Sequence, residues 1–545
     1  MFFAAAGASI VYGLALAVYR LCLCPVAGFP GPKLAALSFW YEFYYDVVCG
    51  GRYWVKINEL HDRYGPIIRI NPYELHVRDP DFYEVLYGGP GQGRRDKWSW
   101  SVGMFSNSQS AFGTASHDLH RLRRGALNPF FGKQAIARSM EPVIRELVES
   151  MCARFEGMRV SAGGERKKGD EGLDVMLPYA ALTTDVITRY AFDTSYGCVE
   201  DAGWRHEWPR AMVESTKICH VNKQFPWLIP VMRAVPEGVI GLLSPSVLLL
   251  IKFQKDLARQ IGTLMNETTN TEPGSNDKDS SSAERPTIFH ELIRSPDLPP
   301  AEKTLQRLVD EGQTMIAAGQ ETTSFLLKTV TYHVLANPAI HARLRAELVD
   351  VNVAHDGVGG VMGASVAQLE RLPYLRAVVQ EGHRFAHGVA GRMQRISPDA
   401  PLWYGDWVIP AGTPVSMTAM LQHRDPGKFP DPDRFDPERW LVLPSSSSSS
   451  SSSNTTISSR SRRRKEEVAA LEKYLVPFGK GTRSCLGVNL ATAEIYLTLA
   501  AVFGSSGRFE MELDGETTAR DAEVVRDYFI PHGHADSKGV RVVFK

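Results

Sequence analysis

The sequence predicts a mainly helical protein with a small β region, preceded by a membrane-spanning helix. An uncharged apolar run occupies residues 2–19, and a helical pattern continues without interruption over residues 304–337. Alternation of apolar and polar residues, which is typical of strands, is confined to short stretches such as 64–78 and 402–417. The chain has 545 residues, 44% of them hydrophobic. That is enough for a large core, and length alone would suggest several domains.

Charge and cysteine content give no support for a nucleic-acid-binding protein or a disulfide-stabilised one. The 61 Lys and Arg residues balance the 61 Asp and Glu residues, so the zero net charge gives no indication of a nucleic-acid partner. The seven cysteines are scattered and odd in number. This pattern predicts a reducing compartment and not a disulfide framework.

The apolar N-terminal run is near the lower limit for a membrane-spanning helix, and residues 21–24 extend it. A cleaved signal peptide is the competing interpretation, but there is no basic segment before the run and no clear small-residue cleavage site after it. Arg20 and Lys33 follow the run, which favours a cytosolic C-terminal part. We therefore predict an uncleaved anchor over residues 1–24. Prolines crowd residues 25–33 and predict a stiff hinge segment after the anchor.

A basic helical stretch lies at residues 117–124. His120 and Arg124 are four residues apart in it and therefore share one face of the helix. Taken alone, such a stretch is ordinarily a solvated charged surface. Its functional interpretation depends on motifs further along the chain.

The centre of the long helix, residues 317–324, has an unusual composition. It holds Gly319, which costs about 1 kcal/mol relative to alanine in a helix interior, and three hydroxyl residues including Thr322. Local rules broken in the middle of a helix often mark function. Gly319 and Thr322 are three residues apart, so we expect a hollow lined by the Thr322 hydroxyl. The alternative is a kinked core helix.

Two further stretches precede the most informative one. Glu381 and Arg384 form an i, i+3 pair, a spacing that at a surface usually contributes less than about 1 kcal/mol. Residues 444–465 contain nine consecutive serines and a basic end. This composition cannot bury enough apolar surface to order itself, so it predicts a disordered, exposed insertion.

The segment around Cys485 carries the strongest signal. A lone cysteine is usually a small buried hydrophobic residue. Here glycines at 479, 481 and 487 would let the backbone approach a flat ligand closely. Cys485 also precedes an apolar run at 488–502, and a helix N-terminus there would favour the thiolate. A thiolate in that setting is a candidate iron ligand.

The run Phe478-x-x-Gly-x-Arg483-x-Cys485-x-Gly resembles the haem-binding loop of the cytochrome P450 family. Residues 317–324, the Glu381–Arg384 pair and residues 435–440 resemble three other motifs of that family, in the same order. The resemblance implies one large, mainly helical catalytic domain with a small β region over residues 34–545. It also implies a haem b cofactor.

The resemblance assigns roles to individual residues. Cys485 would be the proximal iron ligand, with Phe478 packed beside its sulfur. Arg483, Arg124 and Arg395 would contact the haem propionates. His120 stands where the family normally has tryptophan, and a histidine can donate the same kind of hydrogen bond.

On the other side of the haem, the resemblance makes the helix centre the oxygen-binding segment. Thr322 would hydrogen-bond the bound dioxygen, Glu321 would relay protons, and Gly319 would provide space. Arg439 would join Glu381 and Arg384 in a buried charged lock that is structural in role.

The function implied is that of a membrane-bound, microsomal-type fungal monooxygenase. It would insert one oxygen atom from O2 into a lipophilic small molecule of secondary metabolism, of terpenoid or polyketide type. The chain shows no flavin or nicotinamide fingerprint, so NADPH–cytochrome P450 reductase would donate the electrons. Lys480, Arg121 and Arg123 are candidate donor-facing charges. The implied location is the endoplasmic reticulum membrane, with a single span and a cytosolic catalytic domain.

Two other classes stay open at this point. One is a thiolate-haem isomerase or lyase that needs no external electrons, and the other is a non-catalytic haem-binding protein. Glu321 and Thr322 argue against both, because a protein that does not activate dioxygen has less need of them.

Overall fold

The computed structural model describes residues 2–89, 91–105, 107–159, 172–205, 207–270, 287–354, 363–442, 454–504 and 508–545. Most of these residues are helical and the strands are short, which confirms the predicted fold class. One large cluster of buried hydrophobic side chains extends from Ala111 to Phe544. Helices from most of the chain therefore share one core.

The helices of the described residues are α1 (Phe2–Val18), α2 (Lys33–Leu37), α3 (Trp40–Phe43), α4 (Tyr53–Tyr64), α5 (Tyr83–Tyr87), α6 (Ser99–Val102), α7 (His117–Leu127), α8 (Lys133–Ser139), α9 (Glu141–Gly157), α10 (Met176–Phe192), α11 (Glu207–Lys217), α12 (Cys219–Gln224), α13 (Leu228–Ala234), α14 (Glu237–Leu243), α15 (Pro245–Asn270), α16 (Ile288–Arg294), α17 (Leu305–Leu335), α18 (Pro338–Ala354), α19 (Val366–Leu369), α20 (Pro373–Ala386), α21 (Ala419–His423), α22 (Asn454–Glu472), α23 (Val488–Gly504) and α24 (Ala519–Ala522).

The strands are β1 (Ile67–Arg69), β2 (Leu75–Val77), β3 (Leu173–Asp174), β4 (Arg395–Ile396), β5 (Leu402–Tyr404), β6 (Trp407–Ile409), β7 (Pro414–Ser416), β8 (Met511–Leu513), β9 (Arg526–Tyr528), β10 (Ile530–His532) and β11 (Arg541–Phe544). The largest sheet has the order β1-β2-β7-β4, in which only β2 and β7 are parallel. A second sheet has the order β3-β11-β8, and β5-β6 and β9-β10 are antiparallel pairs.

Helix α17 is the long helix that the sequence predicts at residues 304–337. The Thr304 hydroxyl caps its start by accepting a hydrogen bond from the Arg307 N–H at 3.4 Å, and Pro338 follows shortly after its end. Helices α10, α15, α20 and α23 pack around it, and most of its side chains are buried. Helix α17 is therefore the central axis of the core.

The N-terminal helix is exposed and is tied to the core at its end. Together with a π-helical turn at Tyr19–Leu23, α1 is long and apolar enough to cross a membrane, and none of its residues is buried. Arg20 Nη1 then donates to the Leu37 carbonyl at 2.5 Å, and Arg69 Nη1 donates to the Arg20 carbonyl at 2.7 Å. The three apolar side chains of residues 24, 26 and 29 are buried against the β1–β2 region. The chain after the helix thus packs directly on the folded part.

The insertion predicted at residues 444–465 is only partly described, because residues 443–453 lie outside the described ranges. Where the prediction was disorder, the structure continues with α22, a helix over residues 454–472. Arginine–glutamate pairs four residues apart support this helix, and Arg464 donates to the Leu441 carbonyl at 3.0 Å. Composition alone missed these contacts.

Candidate active site

The loop before α23 has the conformation that its glycines allow. Gly479 and Gly481 have φ angles of 64° and 72°. A Cβ on Gly481 would lie 2.1 Å from the Tyr87 carbonyl oxygen, so no side chain fits there. The Cys485 N–H donates to the Phe478 carbonyl at 2.7 Å and closes the loop. The backbone therefore presents the Cys485 side chain in one defined place.

Cys485 faces a space enclosed by protein. Its side chain is accessible, yet burial raises the pKa of its thiol; the Gly487 N–H and Arg124 oppose that rise only in part. Burial thus opposes the thiolate that the helix N-terminus is predicted to favour. A metal ion would supply the missing stabilisation, because coordination deprotonates a thiol.

A group of buried and half-buried basic side chains lies beside this cysteine. Arg483 donates to the carbonyls of Thr114 and Ala115 at 2.8 and 2.7 Å. Arg124 Nη1 donates to the Ser484 carbonyl, next to Cys485, at 2.5 Å. These bonds attach the cysteine loop to α7 and to the segment before it.

Arg395 and Lys97 complete this group. Arg395 is buried at the start of β4, where its Nη1 donates to the Gln394 carbonyl at 2.9 Å. Sequence reasoning missed Lys97, which is also buried; its Nζ donates to the Phe112 carbonyl at 2.5 Å and lies 3.6 Å from the centre of the Phe112 ring. A lysine in an irregular segment has no local signal of burial, so only the folded structure could identify it.

We call one group of side chains the cationic cluster: Lys97, His120, Arg124, Arg395 and Arg483. The positive charges in this cluster repel one another. Burial and Arg395 lower the pKa of Arg483 to about 9, although Asp96 partly opposes this. Burial, Arg483 and Lys97 lower the pKa of His120 to about 2. Burial and the two arginines Arg395 and Arg483 also lower the pKa of Lys97.

The cationic cluster suits an anionic ligand. No salt bridge among the described residues involves its lysine or its three arginines, and the buried His120 Nδ1 has no hydrogen-bond partner there. Buried charges are normally paired, so an uncompensated cluster is costly. A haem, which carries two propionates and an iron that accepts a sulfur ligand, would fit these residues and Cys485.

The predicted oxygen-binding segment has an accessible patch inside the core. Ala318 is exposed and Ala317, Gly319 and Thr322 are partly exposed, although the helix around them is buried. The Thr322 hydroxyl donates to the Ala318 carbonyl at 3.0 Å, in the accessible part. Because other helices surround α17, this patch borders an internal space and not the outer surface.

Gly319 differs from its predicted role. The direction in which its side chain would extend is occupied by Ile187 of α10, and a Cβ there would lie 3.1 Å from Ile187 Cγ1. The missing side chain therefore lets α10 and α17 approach closely. The prediction that it forms a hollow beside Thr322 is wrong in this respect.

Glu321 is a buried acid without a counterion in hydrogen-bond contact. Its Oε2 has no hydrogen-bond partner among the described residues. Burial raises the pKa of Glu321 to about 7, with Lys328 opposing the rise. The carboxyl group is therefore poised to exchange a proton near neutral pH.

The charged lock predicted around Glu381 is present. The Glu381 carboxylate accepts bonds from Arg384 at 2.7 and 3.0 Å, from Arg439 at 3.1 Å and from Trp440 Nε1 at 2.8 Å. The Asp436 N–H adds a further bond at 2.9 Å. Phe478, which leads into the cysteine loop, lies 4.9 Å from His383 of the same helix, measured between ring centres.

One of the three side chains that were predicted to face an electron-donor protein does not face the outer surface. Arg123 is buried and donates to both oxygens of Glu302, at 2.6 and 3.1 Å, so it cannot face a partner protein. Lys480 is partly exposed and pairs with Glu84 at 2.7 Å, whereas Arg121 is exposed. The alternation of arginines along α7 hid this difference in burial.

Comparison with known proteins agrees with this geometry. The Cytochrome P450 family model matches residues 30–525. The chain is 41% identical to cytochrome P450 monooxygenase MO6277 of Ascocoryne sarcoides, over 99% of this chain and 98% of that protein. It is 40% identical to a tryptophan 6-hydroxylase of Fusarium equiseti, over 97% of this chain and 94% of that protein. It is also 40% identical to an N-acetyltryptophan 6-hydroxylase of Emericella nidulans, over 98% and 95%.

The fold and site thus define an enzyme class that uses a haem iron, O2 and a redox partner to oxidise small molecules. The chain belongs to the cytochrome P450 family and is a monooxygenase.

Proposed function

We propose that Cys485 binds the iron of haem b as a thiolate and that the cationic cluster holds the two propionates. The observation that carries this proposal is the positive charge of the cluster, which is largely buried and in which no salt bridge is formed among the described residues, beside an accessible cysteine. Lys97, His120, Arg124, Arg395 and Arg483 would donate to the propionates, with Phe478 beside the sulfur. Each charge-assisted bond made in a buried site is stronger than a neutral one.

The haem iron, when bound, supplies the activation of O2. The chain would supply the surrounding chemistry: the Cys485 sulfur would donate electron density to the metal, and the Thr322 hydroxyl, whose proton goes to the Ala318 carbonyl, would offer its lone pairs on the accessible patch of α17. Glu321 holds or releases a proton near pH 7 because burial places its pKa there. Gly319 allows α17 to lie close against α10, which fixes where Thr322 stands.

We propose a lipophilic small molecule of fungal secondary metabolism as the substrate, of terpenoid or polyketide type. A second candidate is an aromatic amino-acid derivative, because two of the relatives are named as tryptophan and N-acetyltryptophan hydroxylases. An aromatic wall supports this second candidate, since the ring centres of Phe105 and Phe112 lie 5.0 and 5.6 Å from that of Phe529. Aromatic side chains in this arrangement favour a flat ring as ligand.

We further propose NADPH–cytochrome P450 reductase as the electron donor and the endoplasmic reticulum membrane as the location. Residues 1–24 would be the single-pass anchor, 25–33 the hinge and 34–545 the cytosolic catalytic domain. The apolar exposed helix α1 supports an anchor, and the exposed Arg121 supports donor docking.

The test is the absorption spectrum of the reduced protein with carbon monoxide. Wild type should give the strongly red-shifted Soret band of thiolate ligation, Cys485→Ala should lose it, and the control Cys49→Ala should keep it. A red-shifted band that survives in Cys485→Ala would refute the ligand assignment.

Added L-tryptophan and N-acetyl-L-tryptophan should then shift the ferric spectrum if the second substrate class is right. Product formation without a reductase would instead favour the isomerase or lyase alternative.

A further inference from the structure

Residues 474–477 lead into the cysteine loop, and we call them the lead segment. Two adjacent side chains of α21 bind its backbone. Gln422 Nε2 donates to the Tyr474 carbonyl at 3.0 Å, and the Val476 N–H donates to His423 Nε2 at 2.9 Å. Both residues of the second bond are buried. In such a dry place a hydrogen bond is stronger than in water, and a polar group without a partner is costly.

The bond to Val476 determines which ring nitrogen of His423 carries the proton. Because Nε2 accepts from the Val476 N–H, a neutral His423 carries its proton on Nδ1. The Nδ1 of His387 lies 3.3 Å from that nitrogen and is placed to accept the proton in a hydrogen bond. Burial, Arg384 and His383 lower the pKa of His423 to about 3, so the ring stays neutral and Nε2 keeps its lone pair.

Val476 is also bonded at its carbonyl, where the cysteine loop begins. This carbonyl accepts from the Gly479 N–H at 3.0 Å, which closes the first turn of the loop. Two residues after Val476, the Phe478 carbonyl accepts the bond from the Cys485 N–H. His423 therefore holds the start of the turn whose carbonyl receives the cysteine N–H.

Helix α21 connects the lead segment to the charged lock. The His423 carbonyl accepts from Arg384 Nη1 at 3.0 Å. The chain after α20 also packs directly against the lead segment, because a Cβ on Gly388 would lie 2.2 Å from the Pro477 carbonyl oxygen. The buried lock and the cysteine loop are thus joined through one short helix and the residues beside it.

We propose that His423 is a positioning residue for Cys485: it binds the lead segment to α21 and so holds the cysteine where it can reach the iron. This inference rests on the proposed role of Cys485 as the iron ligand. Without the imidazole, the buried Val476 N–H would have no acceptor, and the lead segment could move away from α21.

The first test measures amide hydrogen exchange at Val476 in the membrane-bound, haem-loaded enzyme. The amide oxygen of glutamine can lie near the position of Nε2, whereas the shorter asparagine reaches only the position of Nδ1. His423→Asn should therefore raise the exchange rate of the Val476 amide about tenfold, and His423→Gln should change it by less than about threefold. Equal exchange in the two variants overturns the proposal.

The same measurement on wild type keeps the proposal testable if the variants do not fold. The Val476 amide should exchange at least about a hundredfold more slowly than in an unfolded chain, because it is buried and hydrogen-bonded. Exchange at the rate of an unfolded chain would overturn the proposal without any variant.

The second test asks whether the cysteine ligand is lost before the fold. Each protein is titrated with urea, and the red-shifted Soret band of the reduced carbon monoxide complex is compared with the helix content from circular dichroism. In His423→Asn the band should disappear while the helix content is still that of the folded protein, about tenfold faster than in His423→Gln. Simultaneous loss of band and helix content in His423→Asn contradicts a positioning role.

His61 provides a matched control. It is also buried, and its Nε2 lies 2.7 Å from Nδ1 of a second histidine, His76. Its Nδ1 bonds to the Gly65 carbonyl at 2.8 Å, so its own hydrogen bonds stay within residues 61–76. His61→Asn should lower stability, with band and helix content disappearing together. Early loss of the band in this control would show that the band reports general stability, and the proposal would fall.

The two tests also separate failure of this inference from failure of the proposed function. Absence of the red-shifted band in wild type would refute the role of Cys485 as iron ligand, and the role of His423 with it. A normal band in wild type, together with equal exchange in His423→Asn and His423→Gln, would refute the role of His423 alone.

Discussion

Two buried groups of charges lie near the proposed haem site, and they are built in opposite ways. In the lock, the Glu381 carboxylate is saturated by Arg384, Arg439 and Trp440. The remaining donors of Arg384 reach the carbonyls of His423, Pro432 and Arg434 at 2.6 to 3.0 Å. In the cationic cluster, the lysine and the arginines donate hydrogen bonds to backbone carbonyls. Burial lowers the pKa of Lys97, Arg395 and Arg483.

The difference teaches what each group is for. The lock is complete within the polypeptide, so it should stabilise the fold whether or not a cofactor is bound. The cationic cluster is completed only by anions from another molecule, so it should destabilise the empty protein slightly and stabilise the loaded one. Mutations in the two groups should therefore separate protein stability from cofactor affinity.

The largest effect should come from the lock. Glu381→Ala leaves Arg384, which is 1% exposed, as an uncompensated buried charge. Loss of one partner of a buried pair costs about 3–5 kcal/mol, so the free energy of unfolding should fall by that amount with and without haem. Urea unfolding of both forms measures this. A variant that loses stability only in the haem-loaded form would contradict the structural role of the lock.

The next effect should come from Glu321, a buried acid that belongs to neither group. Its folded pKa of about 7 exceeds the unfolded value, so its favourable contribution is complete below about pH 4.5 and is lost as pH rises through 7. Ionisation should cost on the order of 3 kcal/mol at high pH. Glu321→Gln should therefore gain stability relative to wild type between pH 5 and pH 8. A constant difference across that range would place the Glu321 pKa elsewhere.

The same variant should change the chemistry. If Glu321 delivers protons, the fraction of NADPH that yields peroxide instead of product should rise in wild type above pH 7. In Glu321→Gln this fraction should be high and independent of pH. A wild-type profile that is retained in the glutamine variant would remove Glu321 from the proton path.

The cationic cluster should give a smaller effect, and only on the cofactor. Lys97→Met should weaken haem binding by about 2 kcal/mol, the value of one charged hydrogen bond, while leaving the empty protein as stable as before or more so. Transfer of haem to an acceptor apoprotein measures the first quantity and urea unfolding the second. Lys133→Met, at an exposed pair with Glu370, is the matched control and should change neither. Unaltered haem transfer in Lys97→Met would separate this lysine from the cluster.

The smallest effect should come from an exposed pair outside both groups. Arg345 and Glu510 are 3.1 Å apart, and both side chains are largely exposed. Arg345→Ala should lower the free energy of unfolding by about 0.5 kcal/mol or less, because water screens such a pair. A loss as large as that of Glu381→Ala would show that burial does not distinguish the two kinds of pair.

Much of the fold and several site positions were predictable because they depend on local backbone demands. The glycines of the cysteine loop have positive φ angles that only glycine adopts readily, and the helix limits follow from Thr304 and Pro338. Such requirements leave a pattern within about ten residues. The short strands around residues 67–77 are recognisable for the same reason.

The rest depends on contacts between distant segments, which leave no local pattern. The burial of Lys97 and Arg123, and the side of α17 that Gly319 presents to α10, are of this kind. A further example is Glu42, which pairs with both Lys223 and Arg392 from widely separated parts of the chain. Each of these residues resembles an ordinary surface charge or a weak helix position in the sequence.

The attachment of the N-terminal helix has a mechanical consequence. Because Arg69 donates to the Arg20 carbonyl and also to the Pro72 carbonyl at 2.6 Å, rotation or tilting of the helix would either break these hydrogen bonds or move strand β1 with it. If α1 crosses a bilayer, the catalytic domain is attached to it through these hydrogen bonds and not only through a flexible linker. The height and angle at which the body meets the lipid surface are then set by a few hydrogen bonds around Arg69.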